Sequence, residues 1–408
     1  MKSIKDLSVL KKLLIICSLL YTTTYGQRLS SILSDNKSLI FDYELQKNEL
    51  DSDKLSNSWL NPIRLKYKKT YTTQYGDKPI ITGNYSINID QPIFRSGGIY
   101  YGIKYAKVLR KANKAQIKVQ KRAMITNAVS ILFNIKKTKL QQKKLRYKIK
   151  NDRIDIKQKR DSYESGILDS SFLDQSLLQK SQDETSLLQL ELNLLQLKQQ
   201  FAILSNKKPH KLRLPKLKLV SKRHYKKSNL ELKRDILRAK QSKLNVELTK
   251  AKYLPSISVQ AQYINGDINP LFKFPNSTLR EEYYNYGFTI SMPLDINTFK
   301  DIESAKVAKL KSAVEVIDRK NTINKEYDWI RDTLKIINKQ INLAHKDEKV
   351  YYSLYRLTKN LVEAGEKTKL DSQLMHNSLK IRKIDQQIYR IDKQIQLLKL
   401  YSRIPDVF

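Results

Sequence analysis

The sequence predicts an α+β membrane protein, with four β-strands of membrane-crossing length per chain attached to long coiled-coil helices and set out as two structural repeats. Three observations predict it. A strand-like phrase occurs twice, as NYSINIDQPIF from Asn84 to Phe94 and as NYGFTISMPLD from Asn285 to Asp295. Each copy is followed by a long stretch almost free of Gly and Pro. Apolar heptads then recur at the same place in each half.

Residues 1–26 have the order of a secretory signal peptide. Lys2, Lys5, Lys11 and Lys12 precede the apolar run Leu13 to Leu20, and the small residues Thr24 and Gly26 lead up to Gln27. That run is too short to span a bilayer as a mature helix. The only cysteine, Cys17, lies inside it behind Ile16, which is not the small residue a lipoprotein signal needs. Cleavage near Gln27 would leave a mature chain without cysteine, so packing and not a disulfide framework must hold the fold. No later segment offers about 20 consecutive apolar residues. An exported chain of that kind is periplasmic, secreted or an outer-membrane β-barrel.

The first repeat occupies 27–205. A helix from about Leu29 to Leu55 leads to a β-hairpin over 60–94. Its first strand, Leu60 to Tyr75, alternates Ile63, Leu65 and Tyr67 with Arg64, Lys66 and Lys68. Its second alternates Tyr85, Ile87 and Ile89 with Ser86, Asn88 and Asp90. This period of two sets an apolar face against a wet one. Gly76, Asp77 and Lys78 lie in the loop between the strands. RSGG at Arg95 to Gly98 reads as a bend from strand to helix, where Gly relieves the backbone. The stretch that follows, about 67 residues, makes one helix roughly 100 Å long. A tip turn over 163–175, YESGILDSSFLDQ, ends it at a Gly, and Leu173-Asp174 restarts a helix. The return helix carries Leu187, Leu190, Leu194, Leu197, Phe201 and Leu204 at coiled-coil spacing.

A basic linker, 206–227, is broken by Pro209 and Pro215. The second repeat, 228–403, follows the same order: a helix from Asn229 to Lys252, a hairpin over 253–295, a long helix, a tip turn over 362–373 and a return helix. Ile257, Val259, Ala261 and Tyr263 alternate with polar residues in one strand, and Tyr286, Phe288, Ile290 and Met292 do so in the other. The tip turn VEAGEKTKLDSQ restarts at Leu370-Asp371, and Ile381, Ile384, Ile388, Ile391, Ile395 and Leu398 form the second seam. Residues 404–408 are a tail. An Asp in a first helical turn suits the helix dipole, so capping alone accounts for the Leu-Asp pairs as well as any further role does.

Four membrane strands cannot close a barrel, and a bilayer tolerates no open sheet edge. The smallest known closed barrels have eight strands, so the barrel must be shared between chains: two copies give eight strands and three give twelve. Each half then contributes one hairpin to a common barrel, and the helices extend the tube away from the membrane.

Lys and Arg total 78 against 40 Asp and Glu, a formal net charge of +38. Such a balance suits nucleic acid or an anionic membrane surface. The lysines are spread along the whole chain and form no patch, which equally fits a coding habit. Catalytic and metal patterns are lacking in the sequence, with no Gly-rich phosphate loop carrying a Lys and no His-Glu pair at metal spacing. His210, His224, His345 and His376 are scattered. The expectation is therefore no enzyme, no cofactor and no metal. Tyr71, Tyr75, Tyr283 and Tyr284 near strand ends fit an interfacial aromatic belt. A basic nucleic-acid-binding coiled coil is disfavoured by the signal peptide. The remaining alternative, a periplasmic adaptor or coiled-coil structural protein, would lack two repeated amphipathic hairpins.

The pairing of YLPSISVQAQY with NYGFTISMPLD, and of YESGI-then-LD with VEAGE-then-LD, resembles the TolC family of outer-membrane efflux proteins over the whole mature chain. The resemblance implies a trimeric tube in the outer membrane: a shared twelve-stranded β-barrel on a periplasmic α-barrel of twelve helices. It implies an exit duct for an inner-membrane pump or a type I secretion system, joined by a periplasmic adaptor. It places adaptor contacts at Ser165, Gly166 and Ile167 in the first tip turn and at Ala364 and Gly365 in the second. Lys367 and Asp371 fall at the tether and acidic gate positions, with Asp174 as the acid of the first turn. Glu366 replaces an apolar residue of the family, Val362 a tyrosine of the tether network and Leu374 a second acid, so the implied polar lock is thin.

Overall fold

The computed structural model describes residues 32–74, 76, 78–274 and 278–405. The expected signal peptide, Tyr75, Asp77 and residues 406–408 of the tail lie outside the described residues. The first repeat comprises α1 (Asp35–Ser56), β1 (Arg64–Thr72), β2 (Ile80–Phe94), α2 (Gly98–Glu164) and α3 (Ser170–Leu204). A short α4 (Lys222–Ser228) belongs to the linker. The second repeat comprises α5 (Leu230–Lys252), β3 (Ser256–Gly266), β4 (Glu282–Ser291), α6 (Thr298–Glu363) and α7 (Lys369–Tyr401). Each half therefore runs helix, strand, strand, long helix, return helix. α2 has 67 residues and α6 has 66, about 100 Å each at 1.5 Å per residue.

Boundaries move where side chains compete with the backbone. α1 starts at Asp35, because Ser34 caps it by accepting from the Lys37 amide; the expected start near Leu29 lies outside the described residues. The first strand starts at Arg64 and not Leu60. Ahead of it the backbone is held by side chains, with the Asn61 amide on Gln91 Oε1 at 3.1 Å and Asn61 Nδ2 on the Asp90 carbonyl at 2.6 Å. The RSGG segment is the bend expected of it, with Gly97 at φ 83° capping α2. In the second repeat Asp295 shapes the same bend, accepting from the Asn297 amide at 2.8 Å and the Thr298 hydroxyl at 2.6 Å.

The strands form one antiparallel sheet in the order β1-β2-β3-β4. The two hairpins therefore lie side by side, joined by β2 and β3 from Asn84↔Gly266 to Phe94↔Ile257, with a register shift between Pro92 and Phe94. Proline has no amide to give to a ladder, so it sits at the irregularity. β1 and β4 are left as free edges.

The helices form a layer in the order α3, α2, α7, α6, with α1 and α5 against the upper part of α2 and α5 also against α6. α7 lies between two long helices, so Ile384, Ile388, Ile391 and Leu398 of its seam are buried. The α3 seam has one neighbour, and of it only Phe201 is fully buried. The linker is a packed strap. Leu217 and Tyr225 enter the core, Tyr327 donates to the Val220 carbonyl at 2.7 Å and Tyr401 donates to the Lys218 carbonyl at 2.8 Å. Ile404, expected in the tail, is 1% exposed and closes the same core.

Candidate channel wall and helical tip

In an antiparallel pair, residues directly opposite one another point to the same side of the sheet. The register therefore assigns two faces. Leu65, Tyr67 and Tyr71 of β1 share one with Ile81, Tyr85, Ile87 and Ile89 of β2, with Ile257, Val259, Ala261 and Tyr263 of β3, and with Tyr284, Tyr286, Phe288 and Ile290 of β4. Much of this apolar face is bare: Leu65 is 77% exposed and Tyr286 86%. The opposite face carries Arg64, Lys66, Lys68, Asn84, Ser86, Asn88, Asp90, Gln260, Gln262, Asn285 and Thr289. Bare apolar outside and polar inside is the composition of a barrel wall in lipid. Tyr71 and Tyr284 fall on the apolar face near its loop end, as a belt requires, whereas Tyr283, opposite Ile264, points to the polar side. No described helix is long and apolar enough to cross a membrane.

At the far end of the long helices, the two tip turns have the same backbone. Gly166 at φ 70° and Gly365 at φ 81° follow the C-caps Ser165 and Ala364. The Gly166 and Ile167 amides donate to the Tyr163 and Ser162 carbonyls, both at 2.9 Å. The Gly365 and Glu366 amides donate to Val362 at 3.1 Å and Leu361 at 2.9 Å. In each turn the next helix is capped three residues past the Gly, by Asp169 and by Thr368. This corrects the expected pairing of the turns. Phe172 is the counterpart of Asp371, and Asp174 matches Gln373, because both turns have one length from Gly to cap. α3 restarts on Asp169, whose carboxylate accepts from the Ser171 amide at 2.8 Å and is held below the usual carboxylate range by that bond.

Ser165, Gly166, Ile167, Ala364, Gly365, Lys367 and Asp174 are all exposed, Ile167 by 75%. Asp371 is half-buried and fully engaged. Its Oδ2 accepts from the Thr368 amide at 3.0 Å and hydroxyl at 2.8 Å, and Thr368 Oγ1 accepts from the Asp371 amide at 3.2 Å. Its Oδ1 accepts from Gln158 of α2 at 2.9 Å. Bonds from Thr368, then Gln158 and the charge of Lys367, hold its carboxyl low. The structure thus brings Lys367 and Asp371 together and leaves Asp174 apart from them.

Gln158–Asp371 is the last rung of a ladder between the repeats. Lys137 meets Asp392 at 2.6 Å, Lys144 meets Asp385 at 2.6 Å and Asn151 meets Ser378 at 3.2 Å. The α2 members recur every seven residues, and so do those on α7. Sequence reasoning followed the apolar seams and missed these residues; the sevenfold recurrence of polar positions was the available signal. Between α2 and α3, Lys148 lies 2.8 Å from Asp183 Oδ2. The Asp152 carboxyl is pushed up to about 6, first by burial and then by Asp183 beside it. Among the described residues no group of three or more His, Cys, Asp or Glu could hold a metal ion.

The chain shares its fold with solved outer-membrane channels. The chain is similar to the outer membrane protein VceC of Vibrio cholerae, with a TM-score of 0.70 at 13% identity over 90% of this chain and 93% of that one. It is similar to the CmeC outer membrane channel of Campylobacter jejuni, with a TM-score of 0.69 at 14% identity over 92% and 84%. The open-state MtrE outer membrane channel of Neisseria gonorrhoeae gives 0.61 at 12% identity over 93% of each chain. No protein-family model and no curated protein matches the sequence.

Proposed function

We propose that this chain is one third of an outer-membrane exit duct, passing solutes from the periplasm or an inner-membrane pump to the exterior. The observation that carries it is the unfinished wall. The sheet has a bare apolar face and two free edges. The helical layer ends in the same way, at α3 and α6. On α6, Trp329, Ile336, Leu343, Val350 and Leu357 recur every seven residues, and all are exposed. That is a coiled-coil seam without a partner in its own chain. Three copies of a four-stranded sheet close a twelve-stranded barrel, and the similarity to solved outer-membrane channels supports that number.

In this reading the tips reach into the periplasm. Ser165, Gly166, Ile167, Ala364 and Gly365 meet a periplasmic adaptor, which couples the duct to a pump or a type I secretion system. Lys367 and Asp371 form the gate, which opens because partners bind the open arrangement more tightly, while Asp174 lies at the tip apart from it. No bond chemistry is required of the protein. The native mass of protein solubilised in detergent from the outer-membrane fraction tests the reading. A mass near three chains supports it. A water-soluble monomer or dimer in the periplasm would overturn it in favour of an adaptor or a structural coiled coil.

A further inference from the structure

We propose that the barrel lumen favours anionic solutes, with Arg64, Lys66 and Lys68 as the residues that set this preference. The inference rests on the duct reading and names its solute class. The net charge of +38 has no stated destination in the sequence, but the sheet register gives part of it one. Arg64, Lys66 and Lys68 alternate with Leu65 and Tyr67, so all three share the polar face. On β2 they stand opposite Asn88, Ser86 and Asn84, which carry no charge. None of the three makes an ion pair among the described residues.

Closure of the barrel sets no acid opposite them. β1 is a free edge, and the only other free edge is β4. The polar-face residues a neighbouring copy would bring alongside are therefore Asn285, Gly287 and Thr289, again uncharged. The one acid on this face of the paired strands is Asp90, opposite Gln260 at the helix end of the sheet. Alternate residues of a strand are about 7 Å apart, close to the Debye length of about 8 Å at physiological salt, so the three cations act on a passing ion together. Three copies would set three such stripes around one lumen with low-dielectric walls, which focus the field. Lys69, on the same strand, points to the apolar face and lies over the Tyr71 ring, so it contributes no stripe.

The test is the reversal potential of the purified trimer in planar bilayers under a KCl gradient. Wild type is compared with the triple variant R64Q/K66Q/K68Q and with K69Q as the opposite-face control. The expected result is a chloride-to-potassium permeability ratio above one, lowered by about twofold or more in the triple variant and unchanged in K69Q. The replaced side chains are exposed, and a retained trimer mass shows that the variant is folded. A conducting wild type with a ratio at or below one, or a ratio that the triple variant leaves unchanged, overturns the anion preference and leaves the duct standing. Absence of any conductance overturns the duct reading itself, and the inference with it.

Discussion

The tip glycines show how little of a residue's role need involve neighbours. A Cβ on Gly166 or Gly365 would meet nothing within 4 Å; what demands glycine is the left-handed backbone. Replacing either by Ala is expected to cost about 1 kcal/mol of local tip stability, read as faster amide exchange in that turn with the trimer intact. Asp371 has a different kind of importance, since one carboxylate both caps α7 and holds α2. Its lowered carboxyl contributes stability above the unfolded value of 3.8 that is lost as pH falls through the folded one. Asp371→Asn is expected to remove about 1 kcal/mol of capping and to raise leak conductance without dissociating the trimer. Unchanged conductance would remove Asp371 from the gate. Asp152 has the opposite sign. Its folded value, near 6 against 3.8, means the folded state holds the extra proton, so its contribution is complete below about 4 and lost as pH rises through 6. The Asp152→Asn variant should therefore lose the stability difference measured between pH 4 and pH 6.5, on the order of 1 kcal/mol after solvent screening of a group that is only half-buried.

At the scale of elements, the ladder between α2 and α7 joins the two repeats with ion pairs in its upper half and hydrogen bonds from neutral donors toward the tip. Two Lys–Asp pairs are followed by an Asn–Ser pair and then by Gln–Asp. The upper rungs are the more costly to break, because Asp385 is largely buried while Lys144 is not. Removing Lys144 alone would leave the largely buried Asp385 carboxylate with Arg382, at 3.5 Å, as its remaining cation, whereas removing both partners would leave no carboxylate to satisfy. A double-mutant cycle with Lys144→Met and Asp385→Leu is expected to give a coupling of about 1–3 kcal/mol in thermal unfolding. Additive effects would show the rung to be incidental. The two tip-side rungs contain no ion pair, which leaves that end of the two hairpins the more easily parted and suits a gate proposed there.

For the whole molecule, the packing within one chain is incomplete. The chain buries its central α7 and its linker strap but leaves α6 and α3 with bare apolar stripes. Leu343 is 60% exposed within the chain. Leu343→Glu should therefore leave the hairpins helical, as read by circular dichroism, yet abolish the trimer in native mass measurements. A trimer that survives this charge would place the subunit seam elsewhere.

Local physics made most elements legible in the sequence. Period-two alternation marked the strands, heptads marked the return helices, and the lack of Gly and Pro fixed the length of α2 and α6. The glycines of both tip turns were visible for the same reason, since a positive φ leaves few other choices. What the sequence could not show is what depends on two distant segments meeting. The pairing of β2 with β3, the burial of the linker strap and the equal length of the tip turns required the fold. So did the bond from Gln158 to Asp371, because a glutamine with free neighbours and one aimed at a carboxylate read alike. The side on which Arg64, Lys66 and Lys68 lie was latent in the alternation. It became a statement about the lumen only when four strands in register showed which face is mainly apolar.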